Sequence, residues 1–483
     1  MKTDRHLLHL ILIFIFSRIG YMLVGVKFDY EPLWYFRQFI DPVLLREDLF
    51  ASLLYFHAQP PLFNLFLGFW LQVAGDFAHL FFWASFAALS LAMYIAMYRL
   101  MCGNDLSSRT SLAVVAAYMI SPTAIIYENW LFYTWPAAAL LTLSALALRN
   151  FLSHETAGTA ALFFSLIGIL ALTRSAFHLV WVVAAIAALV LARPKIWRRT
   201  LAGAIVPFVL VVGIYAKNQV LFSNFSASSW LWWHFAMTTV AEVPEDERLA
   251  LIESGALSPA AKLPDMAPPH LFAEVIEPPP PFGMAILDDY YKTNGESNYN
   301  HRIYLTVAEM LKRDDLYSMW NYPGQYARKV ALAIGEFSMP GTDNHFIVAN
   351  LEKIAALDAV YNVAVYGRFL GHVMSWFDVK PDSELYARTA KLGVFVLLIV
   401  GLVIGSGVII LVKGLRRRAV TDKEVVYLYI AMTLIYIAVI SCLLVSFENN
   451  RNRVMIEPLL VVYAASWIKD YIDKRSSRLR DAA

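Results

Sequence analysis

Eleven polar side chains in this 483-residue chain stand where so apolar a sequence has little ordinary use for them. Asp29, Glu31 and Asp41 follow the first apolar run, in KFDYEPLWYFRQFIDPVLLRED. His57 and Gln59 precede two prolines in LYFHAQPPLFNLFLG. Glu128 lies in YENW, Arg174 and His178 in TRSAFH, Lys217 in YAKNQ, and Arg451 and Arg453 in FENNRNRVMIEP. Arginine and lysine side chains hold anions, and arginine does so through a planar fork that matches phosphate and carboxylate. A carboxylate close to such a cluster is placed to take a proton from a hydroxyl or amine. Arg174 and His178, four residues apart, share a face if one helix carries both.

Each feature also has a plainer reading. Acids after a first apolar run belong to a solvated loop, and Arg174 with His178 fits a snorkelling pair at a membrane interface. His57 and Gln59 are equally suited to touching a substrate and to a simple helix entry, with Pro61 in the first turn of a helix over Leu62 to Leu71 that Gly75-Asp76 ends. Glu457-Pro458 reads as a helix start. Glu245-Asp246-Glu247 reads as a solvated face, and Asp288-Asp289 and Asp314-Asp315 lack the spacing of a metal site. Trp230, Trp232 and Trp233 read as an interfacial aromatic belt, with stacking on a sugar as the alternative.

The elements that must position these groups follow from composition. The chain is 59% hydrophobic and 16% charged, against roughly 25% charge in soluble domains, so it reads as an all-α polytopic membrane protein. Apolar segments at 7–26, 78–98, 110–127, 131–148, 157–172, 176–192, 200–216, 392–412, 424–446 and 454–468 give about ten expected spans of a hydrocarbon core about 30 Å thick. The first reads as a retained anchor, since no small-residue cleavage site follows it. With the N-terminus inside, basic clusters fall on one side, in 1–6, 99–109, 149–156, 193–199, 413–423 and 469–483, the Arg416-Arg417-Arg418 run among them. Two long segments then lie outside. The first is 27–77, within an N-terminal membrane domain 1–216. The second, 217–391, holds more than half of the 38 acidic residues and shows helical periodicity at 299–318 and 322–335. Residues 392–483 form C-terminal membrane helices and a basic tail. Two cysteines, Cys102 and Cys442, give no disulfide framework, and a net charge of +2 gives no footprint for nucleic acid.

The order of these features resembles a known family. A first span, an acid-bearing external loop, a His-x-x-Pro-Pro-Leu juxtamembrane helix and a late Arg-x-Arg-x-x-x-x-Pro segment are similar to those of GT-C fold glycosyltransferases that use polyprenyl-phosphate sugars. The nearest branches are the dolichyl-phosphate-mannose protein mannosyltransferases and the bacterial aminoarabinose and lipid A galacturonosyl transferases. The likeness covers 1–220 and 440–470; the segment 217–391 matches nothing in that family. It implies that Asp29 is the catalytic base, with Asp41 the alternate. Tyr30 separates Asp29 from Glu31 where the family has an adjacent Asp-Glu pair. It further implies a lipid-linked sugar donor whose phosphate is held by Arg174, Lys217, Arg451 and Arg453, with Glu31, His57, Gln59, Glu128 and His178 toward the substrate. The acceptor is a lipid, glycan or protein, and transfer is inverting. No cofactor is implied; some GT-C branches use a divalent metal, whereas the branches named here generally need none, so a metal stays open but is not indicated. The expected setting is a bacterial inner membrane with both termini cytoplasmic and the site periplasmic. The competing readings are a transporter or flippase of a lipid-linked glycan, for which mid-membrane charges and paired repeats are expected, and a non-catalytic scaffold.

Overall fold

The computed structural model describes residues 5–264, 266–344, 346–347, 349–376, 390–416, 420–445 and 448–481. Arg417, Arg418 and the stretch 377–389 of the second long segment lie outside them. The described residues are helical, and pair in β fashion only at two isolated bridges, Asp29 with Trp130 and Tyr291 with Ser297. Six helical stretches among the described residues are long and apolar enough to cross a membrane: Arg5–Leu23, Leu62–Gly103 (in which Leu62–Ala74 and the 26-residue Ala78–Gly103 are joined at Gly75–Phe77), Thr134–His154, Pro194–Phe222, Val394–Leu415 and Asp422–Leu444. The chain is therefore a multi-pass membrane protein.

Against the expectation of about ten spans, each apolar run falls on a helix, but not each helix has the length and composition of a full span. Ser108–Met119 and Pro122–Glu128 are one apolar run broken by a 61° bend. The break has a local cause: Pro122 has no N–H to continue the helix, and the Ser121 side chain caps the next one by accepting from Ala124 N. Ala157–Thr173 and Leu179–Ala192 are shorter apolar helices of 17 and 14 residues, about 26 and 21 Å at 1.5 Å per residue. The last helix, Glu457–Asp481, is apolar in its first half alone.

The basic segments meet at one end of the bundle. Arg149 donates to Asn104 Oδ1 at 2.8 Å, Lys423 pairs with Asp470 at 2.7 Å, and Lys413 pairs with Glu424 at 2.7 Å. Arg193 pairs with Asp422, and Arg199 reaches Glu155 at 3.4 Å. Thr421 and Glu424 form a capping box that starts the helix Asp422–Leu444 there.

At the other end the two long segments interlock. The helix Leu62–Ala74 begins at Leu62 as expected, with Pro61 as its N-cap rather than in its first turn, and runs three residues past the expected end at Leu71. Gly75, at φ 56°, supplies the left-handed backbone that turns the chain. The helix then folds back on Ala78–Gly103, since Phe66 meets Phe82 at 5.7 Å and Trp70 stacks on Phe81 at 4.6 Å. A continuous helix would put residues 66 and 82 about 24 Å apart. In the second segment the expected helices are found as Ile303–Asn321 and Pro323–Ser338. Trp230 and Trp233 are not a belt: both are buried against Tyr299, and Trp233 also meets Tyr304. Asp314 and Asp315 are buried too, accepting from Ser258 and Thr239, while Asp288 accepts from the backbone N–H groups of residues 282–284.

Candidate active site

A cavity of about 570 Å³ opens where the two long segments meet the ends of the membrane helices. Its cations are Arg37, Arg174 and Arg451, and its carboxylates are Glu296 and Glu448. One wall is apolar, with Ile440, Leu444 and Val445 from the end of Asp422–Leu444. Polar side chains line it too, among them Gln38, Gln59, His234 and Asn452. His178 also lines the space.

Arg174 is placed by the end of Ala157–Thr173. As the C-cap residue it leaves the helical conformation, φ −140° and ψ 128°, which turns its side chain inward. There it donates to Thr134 Oγ1 at 3.1 Å and to Asn452 Oδ1, and lies 4.9 Å over the Tyr133 ring. Arg451 comes from the short helix Asn449–Val454. It pairs with Glu448, lies 4.5 Å over the Phe132 ring and has the Tyr133 hydroxyl nearby, yet its Nε and Nη1 atoms are buried and make no well-formed hydrogen bond among the described residues. Burial, and next the like charge of Arg174, pushes Arg451 down to about 9. Two buried guanidiniums stand here, and the carboxylate of Glu448 pairs with Arg451; an uncompensated buried charge is costly. An anion entering the cavity would supply the missing acceptors.

Arg453 does not join them. Residues two apart on a helix point about 200° apart, and Arg453 faces into the protein. It pairs with Glu457 at 2.7 Å and donates to the carbonyls of Phe337 and Met339, both at 2.9 Å. Lys217 likewise spends its ammonium within the fold, donating to Phe56 O at 2.6 Å. Neither lines the cavity.

The carboxylates singled out from sequence are dispersed. Glu128 is buried in an ion pair with Arg18, whose Nε lies 2.9 Å from it and which also donates to Tyr94. Asp41 is buried as a helix N-cap, accepting from Val43 N at 2.9 Å and from Thr293 N at 2.6 Å. Asp29 accepts from Glu31 N at 3.1 Å, and its backbone bridges to Asn129 and Leu131. Burial raises the Asp29 carboxyl. Asp29 and Glu31 do not line the cavity, but their charges, after burial, raise the Tyr35 phenol that does. His57 is buried and held neutral, burial and then Lys217 pushing it down to about 3. Its Nδ1 meets Ser229 Oγ at 2.8 Å and its backbone N–H donates to Asn300. Of HAQPP, Gln59 alone reaches the cavity, with a buried Oε1 that has no donor.

The structure thus brings Gln59, Arg174, His178 and Arg451 together and adds Arg37, Glu296 and Glu448. Arg37 stands in the quoted first loop, 5.2 Å over the Tyr299 ring. Glu296 follows Asn294-Gly295, a turn signal legible in sequence, but nothing local tells which surface the turn reaches. No group of three or more His, Cys, Asp or Glu among the described residues is arranged to hold a metal ion.

No family model matches the chain, and no curated protein matches it. Among solved structures, a likeness is found to the archaeal oligosaccharyltransferase AglB from Archaeoglobus fulgidus, in complex with an inhibitory peptide and a dolichol-phosphate. The identity is 12% and the TM-score 0.42, over 100% of this chain and 52% of that one. The chain thus spans about half the length of that protein, and a likeness this low assigns no function.

Proposed function

We propose that the chain is an integral membrane glycosyltransferase of GT-C type. It moves a sugar from a polyprenyl-phosphate carrier to a lipid, glycan or protein acceptor, with inversion, at the periplasmic face of a bacterial inner membrane. The observation that carries this reading is Arg451: a buried guanidinium with two nitrogens that make no well-formed hydrogen bond, beside Arg174, in a cavity that has both an apolar wall and polar lining side chains. That arrangement suits the phosphate of an amphiphile, with Ile440, Leu444 and Val445 toward the isoprenoid. As the bond from sugar to phosphate breaks, negative charge grows on the phosphate, and the two guanidiniums are already in place to receive it.

The direct test is transfer by the purified full chain from labelled polyprenyl-phosphate hexose, pentose and uronic acid donors. Membranes of the source cell supply the acceptor. Product formation by the wild type, lost in Arg451→Met and Arg174→Met, supports the reading. Absence of transfer from every donor rejects it.

A further inference from the structure

Glu296 is the one carboxylate lining the cavity without a hydrogen bond or ion pair among the described residues; the other, Glu448, pairs with Arg451. It is also exposed, so a proton taken in the cavity can be returned to water. Its backbone is fixed on both sides. Lys292 N donates to Glu296 O at 2.7 Å, Glu296 N donates to Asn294 Oδ1 at 3.1 Å, and Gly295 takes the left-handed conformation at φ 85°.

This turn is fastened to the first long segment at three places. Asp41 accepts from Thr293 N at 2.6 Å and from Thr293 Oγ1 at 3.0 Å. Lys292 Nζ donates to Phe36 O at 3.1 Å, and Asn294 Nδ2 donates to Trp34 O at 3.1 Å. The stretch so fastened includes Tyr35 to Gln38, which line the cavity beside Glu296. An acidic residue in a polar turn has no packing need for such anchoring, and the anchoring fixes the backbone that carries its side chain at the cavity.

Resting on the glycosyl-transfer reading above, we infer that Glu296 is the general base of the reaction and that Asp41, acting through Thr293, is its positioning residue. In the step, Glu296 takes the proton of an acceptor hydroxyl as that oxygen bonds to the anomeric carbon. The bond between that carbon and the phosphate oxygen breaks, and its electron pair leaves with the lipid phosphate toward Arg174 and Arg451. The proton ends on Glu296 and the charge on the phosphate. Of the acids the sequence favours, Asp29 does not line the cavity and Asp41 is engaged as a cap.

The test uses the purified full chain with two readouts, binding of farnesyl phosphate and transfer into acceptor-bearing membranes. Glu296→Gln is expected to leave farnesyl phosphate binding unchanged and to lower kcat by about 100-fold or more, the range of general-base removal. Glu296→Asp should restore part of the rate with a shifted acid limb of the pH profile. Thr293→Val should lower kcat while leaving that limb where it is in the wild type. Near wild-type transfer by Glu296→Gln would overturn the assignment and leave the glycosyltransferase reading standing; loss in Asp29→Asn alone would move the base there. Failure of the wild type to bind farnesyl phosphate or to transfer any sugar would overturn the underlying reading, and the Glu296 assignment with it.

Discussion

Asp41 and Thr293, 252 residues apart, are joined by two hydrogen bonds, one from the threonine N–H and one from its hydroxyl. The same carboxylate caps a helix through Val43 N, so one buried acid ties the first long segment to the second. Asp41→Asn is expected to be poorly tolerated, because its amide NH₂ faces either Thr293 or Val43 and sets donor against donor. The loss should be about 1–3 kcal/mol, that of a buried group left unsatisfied. A lower denaturation midpoint with unchanged affinity for farnesyl phosphate is the expected pair of results.

Arg451 should behave in the opposite way. Its Nε and Nη1 have no acceptor to lose, and Glu448, which loses its cation in Arg451→Met, is partly exposed and can be hydrated instead, so stability should fall much less than in Arg453→Met. Binding of farnesyl phosphate should weaken by about 10–100-fold, the equivalent of charge-assisted hydrogen bonds of about 1.5–3 kcal/mol. Calorimetric titration of wild type and variant, with thermal denaturation of both, separates the two effects. Unchanged affinity would remove Arg451 from the anion site.

Arg453, two residues on, is predicted to be needed for folding rather than for binding. Replacing it by Met leaves Glu457 buried without its cation and strands the carbonyls of Phe337 and Met339. Breaking a buried ion pair from one side costs about 3–5 kcal/mol. The variant should show reduced yield and a lower melting temperature. A double variant, Arg453→Met with Glu457→Gln, should recover part of the loss.

This contrast marks what sequence can and cannot disclose here. The helices, the basic end of the bundle and the pair Ile303–Asn321 and Pro323–Ser338 follow from periodicity, caps and charge, which are local. In FENNRNRVMIEP, Arg451 and Arg453 are equivalent as text, and a short helix of buried residues decides which one faces the cavity. Glu128 was conspicuous in an apolar stretch, yet its partner Arg18 is 110 positions away in the first helix. Glu296 looks like any acid in a polar turn. Its significance depends on the bonds that its neighbours Asn294, Lys292 and Thr293 make with Trp34, Phe36 and Asp41, and no pattern within either segment encodes that meeting.

His57 carries a pH prediction. It is buried, and its folded-state value is pushed down to about 3 by burial first and the nearby Lys217 second, against an ordinary value of about 6.5. Between those limits the unfolded chain binds the proton and the folded chain does not. Stability therefore falls as pH is lowered through this window, by up to about 1.4 kcal/mol per pH unit from this group. Above about pH 6.5 both states leave it neutral and the contribution vanishes. His57→Gln should flatten the acid side of the stability profile, provided its amide can accept or donate at Ser229 Oγ as Nδ1 does. Denaturation midpoints of wild type and variant at pH 7 and at about pH 5, where the slope from this group is near its full value, decide it. Parallel profiles for the two proteins would show that His57 does not stay neutral in the fold.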